Sequence, residues 1–275
     1  MGPMVEYAYA KVNRYLRLTG KRTDGYHTLR SVMQTISLRD ELRYEPSDSP
    51  FSFRCSDPDL NHAGNLCVRA ANAFARTAGK PLTGELVLTK RIPAGAGLGG
   101  GSADAAAVLR LLQNRNGYPL SERELLSLAE SLGADVPFCV HGGKALCEGI
   151  GERMTPLPDG KTEYLLVIKP NGSLSTADMY RAWDAAHPDG SVCAPVPENG
   201  NDFEPLADAL LPVIGELRET LLRLGASEAM MSGSGSAVFG VFGSASACRD
   251  AERRWKQTEG SDAFFAAGCR TVPRY

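Results

Sequence analysis

The sequence predicts a mixed α/β protein (α/β or α+β) built from two halves. Segments with alternating apolar and polar residues, typical of strands, lie between segments with helical spacing along most of the 275 residues. A hydrophobic content of 43% is enough for one large core or two medium cores. Proline and glycine cluster at "MTPLPDGKTE", so we expect one domain over residues 4–155 and a second over residues 156–275.

The first half begins with two predicted strands. "AYAKVNRYLRLTG" alternates as a strand does, and "TLRSVMQTISLRDELRYEP" follows it after a Gly-Tyr-His loop. "GNLCVRAANAFARTAG" has helical spacing and should end at Gly79. "GELVLTKRIP" is predicted to be a short strand stopped by Pro93, because proline has no amide proton to donate to the ladder.

Two more helices are predicted in the first half. An alanine-rich helix should cover residues 102–113. The next, "SERELLSLAESLG", opens with a capping box formed by Ser121 and Glu124 and should end at Gly133.

The second half alternates strands and helices again. "YLLVIKP" and "AVFGVF" read as buried strands, and helices are expected near 176–186 and 206–224. "MMSGSGS" is predicted to be a loop, and the polar stretch 187–202 a long surface connection.

Composition excludes several classes of function. Thirty basic and 32 acidic residues, a net charge of -2 and no long block of like charge give no field for nucleic acid or an anionic membrane. The N-terminus lacks the apolar core of a signal peptide, and no run of about 18 apolar residues occurs, so we expect a cytoplasmic protein. Seven scattered cysteines without paired spacing indicate reduced thiols, with neither a disulfide framework nor a metal site.

The stretch "RIPAGAGLGGGSADAAAVLRLL" contains G-x-G-x-x-G at Gly95, Gly97 and Gly100. A dinucleotide site would need a second strand ending in an acidic residue about 20 residues later, and a turn and helix stand there instead. The Walker pattern also fails, because no Gly-Lys-Ser or Gly-Lys-Thr ends the loop. Five glycines within seven residues lose much conformational entropy on folding, which favours a backbone cradle for a nucleotide phosphate ahead of a helix.

"PAGAGLGGGSADAAAVL" resembles the central motif of the GHMP small-molecule kinases. "AKVNRYLRLTGKRTDGYHTLRSVMQ", "LGADVPFCVHGGKALCEGIGE" and "GASEAMMSGSGSAVFGVF" resemble further segments of that family. The resemblance implies a two-domain GHMP kinase fold, with an N-terminal half like ribosomal S5 domain 2 and a ferredoxin-like C-terminal half. It also implies an ATP-dependent kinase that binds ATP through Pro93, Ala94, Gly95, Ala96, Gly97, Leu98, Gly99, Gly100, Gly101, Ser102 and Ala103.

The resemblance implies two catalytic residues. Asp135 in "GADVPF" matches the family's catalytic aspartate, which accepts the hydroxyl proton in phosphoryl transfer. Lys11 in "AKVN" matches the catalytic lysine, which would orient Asp135 and balance the developing phosphate charge. Taken alone, either residue is more often a solvated surface charge. Asp104, in the first turn of the phosphate helix, is expected to point away from the nucleotide.

The family's substrate residues match in two places. Tyr26 and His27 of "DGYH" correspond to a cytidine pocket, and Tyr180 to the aromatic on the other face of the cytosine, with Thr176 nearby. Asn13 is expected to hold the polyol or phosphate end of the substrate. The spacing of Tyr180 with its neighbours is equally typical of a hydrophobic helix face, so a place in the core stays open.

These matches imply a small-molecule partner, a methylerythritol linked to cytidine diphosphate, whose 2-hydroxyl is phosphorylated in the non-mevalonate isoprenoid pathway. A homoserine or mevalonate kinase of the same family, and a non-catalytic nucleotide-binding protein, are the alternatives. Mg²⁺ should accompany ATP, held mainly through the phosphates. Ser102 is predicted either to contact the ligand or to cap the helix, and residues 232–236 either to approach the substrate phosphates or to turn the chain. The sequence leaves the oligomeric state open.

Overall fold

The computed structural model describes residues 2–188 and 200–275. The strands are β1 Met4–Lys21, β2 His27–Pro50, β3 Ser52–Cys55, β4 Thr83–Thr89, β5 Lys144–Gly149, β6 Arg153–Leu157, β7 Tyr164–Lys169, β8 Glu228–Met231, β9 Val238–Phe242 and β10 Phe265–Arg270. The helices are α1 Leu66–Ala78, α2 Gly100–Arg115, α3 Glu122–Leu132, α4 Val136–His141, α5 Thr176–Ala186, α6 Glu204–Leu210, α7 Val213–Arg223 and α8 Ala245–Lys256.

The chain divides into two compact units, each made of several segments. The first unit comprises Met1–Ala10, Leu38–Ile92 and Gly99–Gly142, and the second comprises Lys11–Ser37, Pro93–Leu98 and Gly143–Tyr275. The long strands β1 and β2 pair with each other, and each contributes one part to either unit. The single domain boundary after residue 155 stays a prediction.

The first unit contains the helices α1–α4 together with part of the larger sheet. β4 runs antiparallel to the C-terminal part of β2, and β3 runs parallel to β4. α2 packs against α1 and α4 and buries ten of its sixteen residues. The seven consecutive residues 103–109 are all buried, so this part of α2 is enclosed on every side, as expected of a central helix.

The second unit is built on an antiparallel sheet in the order β10, β7, β9, β8. Four consecutive residues of β7 are buried, Leu165–Ile168, and the helices of this unit pack around a core that includes Trp183 and Phe203. In the same unit, β5 pairs with the N-terminal part of β2, and β6 pairs with β5.

Several predicted elements are confirmed. α1 ends at Gly79, which adopts a left-handed φ of 60°, and the capping box of Ser121 with Glu124 opens α3. Both "YLLVIKP" and "AVFGVF" form strands, and α5 covers the predicted 176–186.

Three predicted boundaries are wrong. β4 ends at Thr89, before Pro93. The amides of Arg91 and Ile92 donate to the Asp40 carboxylate and therefore do not pair with a neighbouring strand. The helix expected over 206–224 is two helices, since Leu211, which precedes Pro212, has non-helical backbone angles (φ -144°, ψ 80°).

The third wrong boundary is that of the loop "MMSGSGS", whose two methionines belong to β8. The predicted surface connection 187–202 lies mostly outside the described residues, as does Cys193. The six cysteines within them are reduced thiols. In the described part of the chain, no helix has both the length and the apolar character needed to cross a bilayer.

Candidate active site

The backbone of the glycine loop, residues 93–98, alternates in the sign of φ. Gly95 and Gly97 have φ angles of 61° and 71°, and the next residue but one, Gly99, has a φ of 69° and precedes α2. Ala96 and Leu98, between them, do not have positive φ. Alternating handedness turns successive amides toward the same side and forms the concavities that bind anions. The left-handed glycines are compatible with the predicted phosphate cradle, which stays a prediction.

Three consecutive carbonyls of the glycine loop, which belongs to the second unit, accept hydrogen bonds from other segments of that unit. The oxygen of Ala96 accepts from the amide of Ala237 at 3.1 Å, and that of Gly97 from the Ser232 hydroxyl at 2.9 Å. The oxygen of Leu98 accepts from the amide of Lys11 at 3.0 Å. With these carbonyls occupied, the loop is fixed beside the predicted catalytic lysine.

A second glycine-containing segment, residues 232–236, packs directly on the glycine loop. Gly97 approaches Ser232 so closely that a Cβ on Gly97 would lie 2.0 Å from the Ser232 carbonyl oxygen. Ser232 and Ser236 are fully buried, and the Ser236 hydroxyl donates to the carbonyl of Gly172 at 2.9 Å. The hydroxyls of Ser232 and Ser236 therefore hold the chain, and Ser234 is the more accessible serine of the three.

Lys11 and Asn13 form a buried polar chain on β1. The Lys11 ammonium donates to Asn13 Oδ1 at 2.7 Å, and Asn13 Nδ2 donates to the Ser31 hydroxyl at 2.7 Å. The Asn13 amide also donates to the Ser232 hydroxyl at 3.3 Å. Asn13 thus orients the lysine and links β1 to residues 232–236, a positioning role in addition to the substrate contact predicted for it.

His27 and Tyr180 lie against each other in the second unit. Their rings are stacked with centroids 4.8 Å apart, and Tyr180 also meets Phe203 edge to face. His27 Nε2 lies 2.7 Å from one Asp184 oxygen, and Lys21 donates to the other at 2.6 Å. The lysine and histidine hydrogen bonds lower the pKa of the Asp184 carboxyl. The structure therefore joins two residues that the sequence placed in one pocket.

Two other predicted substrate residues are exposed. The Tyr26 side chain is 61% exposed at the turn before β2, whereas the adjacent His27 is buried. Thr176, at the start of α5, shares a hydrogen bond of 2.8 Å with Ser234. Tyr180 itself is half-buried, between the buried residues Met179 and Trp183, so it both faces His27 and borders the core.

The first unit carries the start of α2 and the predicted base. Gly99 occupies the N-cap with no side-chain hydrogen bond, so the capping role considered for Ser102 is wrong, and that residue lies within the first turn. The first amides of a helix have no intrahelical acceptor and carry a positive partial charge. Asp135 is half-exposed at the N-cap of α4, and its carbonyl accepts from the amide of Cys139 at 3.1 Å.

Comparison with known proteins identifies the family. The family model described as "GHMP kinases N terminal domain" matches residues 65–143, and the model described as "GHMP kinases C terminal" matches residues 191–261. A protein named 4-diphosphocytidyl-2-C-methyl-D-erythritol kinase, from Citrifermentans bemidjiense, is 40% identical over 276 residues, covering 96% of this chain and 98% of that protein. The chain belongs to the GHMP kinase family.

Solved structures of GHMP kinases have the same fold as this chain. A crystal structure of a 4-(cytidine 5'-diphospho)-2C-methyl-D-erythritol kinase superimposes with a TM-score of 0.82 at 34% identity, covering 98% of this chain and all of the other. A homoserine kinase from Cytophaga hutchinsonii has a TM-score of 0.74 at 19% identity, covering 100% of this chain and 96% of the other, a likeness of fold alone. The predicted two-domain fold and the prediction of an ATP-dependent small-molecule kinase are confirmed.

Sequence reasoning missed several residues of this kinase. Asp184 follows Tyr180 by four residues, a spacing that places both on one face of α5, so the sequence did carry a signal for it. Lys90 and Asp40 carried no such signal, because they meet Asp104 only through the fold. Lys11 and Asp135 belong to different units, and their action together stays a prediction.

Proposed function

We propose that this kinase transfers the γ-phosphoryl group of ATP to the 2-hydroxyl of 4-diphosphocytidyl-2-C-methyl-D-erythritol, in the non-mevalonate pathway to isoprenoid precursors. The family membership gives the reaction class, and the relatives carry this substrate in their names. The observation that carries the substrate proposal is the stacked pair of His27 and Tyr180, held by Asp184. A flat aromatic pair with a fixed imidazole suits a nucleobase, which needs a stacking surface and an edge-on hydrogen bond.

The glycine loop and the start of α2 would bind the ATP phosphates. The loop's carbonyls at residues 96–98 are occupied by the protein, and the first turn of α2 offers amides without an intrahelical acceptor. Such an arrangement stabilises negative charge through the backbone and the helix dipole, with no basic side chain needed.

Asp135 and Lys11 would serve the chemical step. Asp135 accepts the proton of the substrate's 2-hydroxyl while the oxygen of that hydroxyl bonds to the γ-phosphorus. The bond from the γ-phosphorus to the bridging oxygen of ADP breaks at the same time. Lys11 stabilises the charge that develops on the transferred group. Its ammonium is buried and oriented by Asn13, and a charge held away from water acts more strongly.

Mg²⁺ would be held mainly through the nucleotide phosphates. In residues 2–188 and 200–275, no three His, Cys, Asp or Glu side chains are placed to share an ion. The carboxylates of Asp40 and Asp104 are bound to Lys90. This donor set fits an ion that keeps its waters and phosphate ligands, with the Ser102 hydroxyl as a candidate contact. When bound, the ion would neutralise phosphate charge.

The proposal is tested by measuring ADP release with MgATP and one alcohol at a time. We expect turnover with 4-diphosphocytidyl-2-C-methyl-D-erythritol, and at least a hundredfold less with methylerythritol phosphate lacking the cytidine group, homoserine or mevalonate. Asp135→Asn should reduce turnover by about 10²–10⁴-fold, the usual contribution of a general base, while binding of MgADP stays close to the wild-type value. Turnover of homoserine or mevalonate in preference to the cytidine-bearing alcohol would refute the proposal.

A further inference from the structure

Three charged residues of the first unit, Asp40, Lys90 and Asp104, form a buried cluster, called here the Lys90 cluster. The Lys90 ammonium contacts one oxygen of Asp40 at 2.5 Å and one of Asp104 at 2.7 Å. Both carboxylates are almost completely buried, and the Lys90 side chain is 10% exposed. A buried cluster with two acids for one base is unfavourable for folding stability unless geometry compensates.

The cluster joins the two segments that flank the glycine loop. The second oxygen of Asp40 accepts from the amides of Arg91 and Ile92, which immediately precede residue 93. Asp104 lies in α2, five residues after the N-cap Gly99. Lys90 therefore connects the chain entering the loop to the helix leaving it, through direct hydrogen bonds to a carboxylate on each side.

Packing around the cluster is tight. A Cβ on Gly100, the first residue of α2, would lie 3.0 Å from Ile92 Cγ2 and 3.4 Å from Lys90 Nζ. The other oxygen of Asp104, Oδ1, is buried with no hydrogen-bond partner among the described residues. A cluster selected for stability alone would be expected to satisfy this atom or to replace it with an apolar group.

We propose that the Lys90 cluster is a positioning device for ATP: it fixes the separation of residues 90–92 from the first turn of α2, and thereby the curvature of the glycine loop between them. The inference rests on the proposed role of that loop in holding the nucleotide phosphates. Backbone amides bind phosphate well only when they are already oriented, because ordering them during binding opposes affinity. Loss of the cluster should therefore weaken nucleotide binding without affecting the other substrate.

The test replaces Asp104 in two ways. Asp104→Leu removes both the charge and the hydrogen bond to Lys90 while keeping a side chain branched at Cγ, whereas Asp104→Asn keeps an oxygen that accepts from the ammonium. At pH 8 we expect Asp104→Leu to raise the KM for MgATP and the calorimetric Kd for MgADP at least tenfold. Asp104→Asn should raise both about threefold. The KM for the cytidine-bearing alcohol should stay within twofold of the wild-type value.

Two control variants separate positioning from stability. Arg54→Met breaks an exposed ion pair with Glu85 in the same unit and should leave both constants unchanged. Phe74→Leu, in the core of α1, should lower the melting temperature without changing the Kd for MgADP. Hydrogen exchange of the peptide 93–101 should be faster in Asp104→Leu and unchanged in Phe74→Leu.

The proposal is overturned if Asp104→Leu raises the KM values for MgATP and for the cytidine-bearing alcohol by the same factor. It is also overturned if Phe74→Leu weakens MgADP binding as much as Asp104→Leu does. If Asp104→Leu does not fold, Asp104→Asn decides: a threefold rise in the Kd supports positioning, and an unchanged Kd refutes it. Because the Kd for MgADP needs no turnover, a wild-type kinase that binds nucleotide but ignores the cytidine-bearing alcohol would refute the proposed substrate while leaving this test intact.

Discussion

Replacement of Gly97 by alanine tests whether the glycine loop depends on its contact with residues 232–236. Gly97 has a φ of 71°, in the left-handed region, which disfavours alanine by about 1–2 kcal/mol. The new Cβ would lie 2.0 Å from the Ser232 carbonyl oxygen and 3.1 Å from that of Gly235. Real Cβ contacts essentially never fall below 3.0 Å, so the two backbones would have to separate by at least 1.0 Å (3.0 less 2.0).

Separation on this scale would break the hydrogen bonds between the two segments. The Ser232 hydroxyl donates to Gly97 at 2.9 Å and the Ala237 amide to Ala96 at 3.1 Å, and each would exceed the normal range if moved by about 1 Å. Two lost hydrogen bonds contribute about 1–3 kcal/mol, so the total loss in the free energy of unfolding is about 2–5 kcal/mol.

Urea unfolding of three variants measures this loss. Gly95→Ala is the matched control, because Gly95 has nearly the same φ, 61°, and its nearest contact would be an ordinary 3.5 Å to Ser173 Cβ. Gly79→Ala, at the C-cap of α1, has a φ of 60° and no atom within 4 Å. Both controls should lose only the conformational term, about 1–2 kcal/mol. Equal losses for Gly95→Ala and Gly97→Ala would refute the reasoning.

Three further results are expected. Ser121→Ala should lower the free energy of unfolding by about 1 kcal/mol in urea titrations, through loss of the capping box of α3. Nucleotide binding should not change, which would show that the effect is confined to this helix. Burial raises the pKa of Asp104 to about 7 from 3.8, so the native chain holds a proton that the unfolded chain releases, and stability should fall as pH rises from about 4 to 7. Asp104→Asn should abolish that decline. If the free energy of unfolding, measured by urea titration, depends on pH in the same way in the wild type and the variant, the decline does not come from Asp104. Asp184→Asn should raise the KM for the cytidine-bearing alcohol several-fold while the KM for MgATP stays constant, since it loosens only His27 and Lys21. A change in both constants would exclude this role.

Local signals predicted local structure well. The capping box, the left-handed glycine after α1 and the helical spacing of α5 each depend on residues close in sequence. The break between α6 and α7 was also readable, because proline restricts the residue before it, but the apolar periodicity continued across it. The short helix α4 was missed, since six residues carry too little periodicity.

The candidate site also combines a feature that is local in sequence with contacts between distant segments. The glycine loop could be located from its spacing alone. The partners of its carbonyls are distant in sequence: Lys11 lies 87 residues before Leu98, and Ser232 lies 135 residues after Gly97. The Lys90 cluster assembles from three separate segments, and nothing in the sequence pairs Asp40 with Lys90. Contacts of this kind depend on tertiary packing, which composition and periodicity do not encode.

The interior of α2 restricts how this kinase can change during evolution. Ala105, Ala106 and Ala107 are all fully buried, so no larger side chain fits without displacing a neighbouring element. Drift at these positions should be confined to alanine, glycine and serine, even where the surrounding sequence diverges. With the loop holding ATP as proposed, variation that adjusts nucleotide affinity is expected at exposed loop positions such as Ala94, while the helix behind them stays nearly invariant in volume.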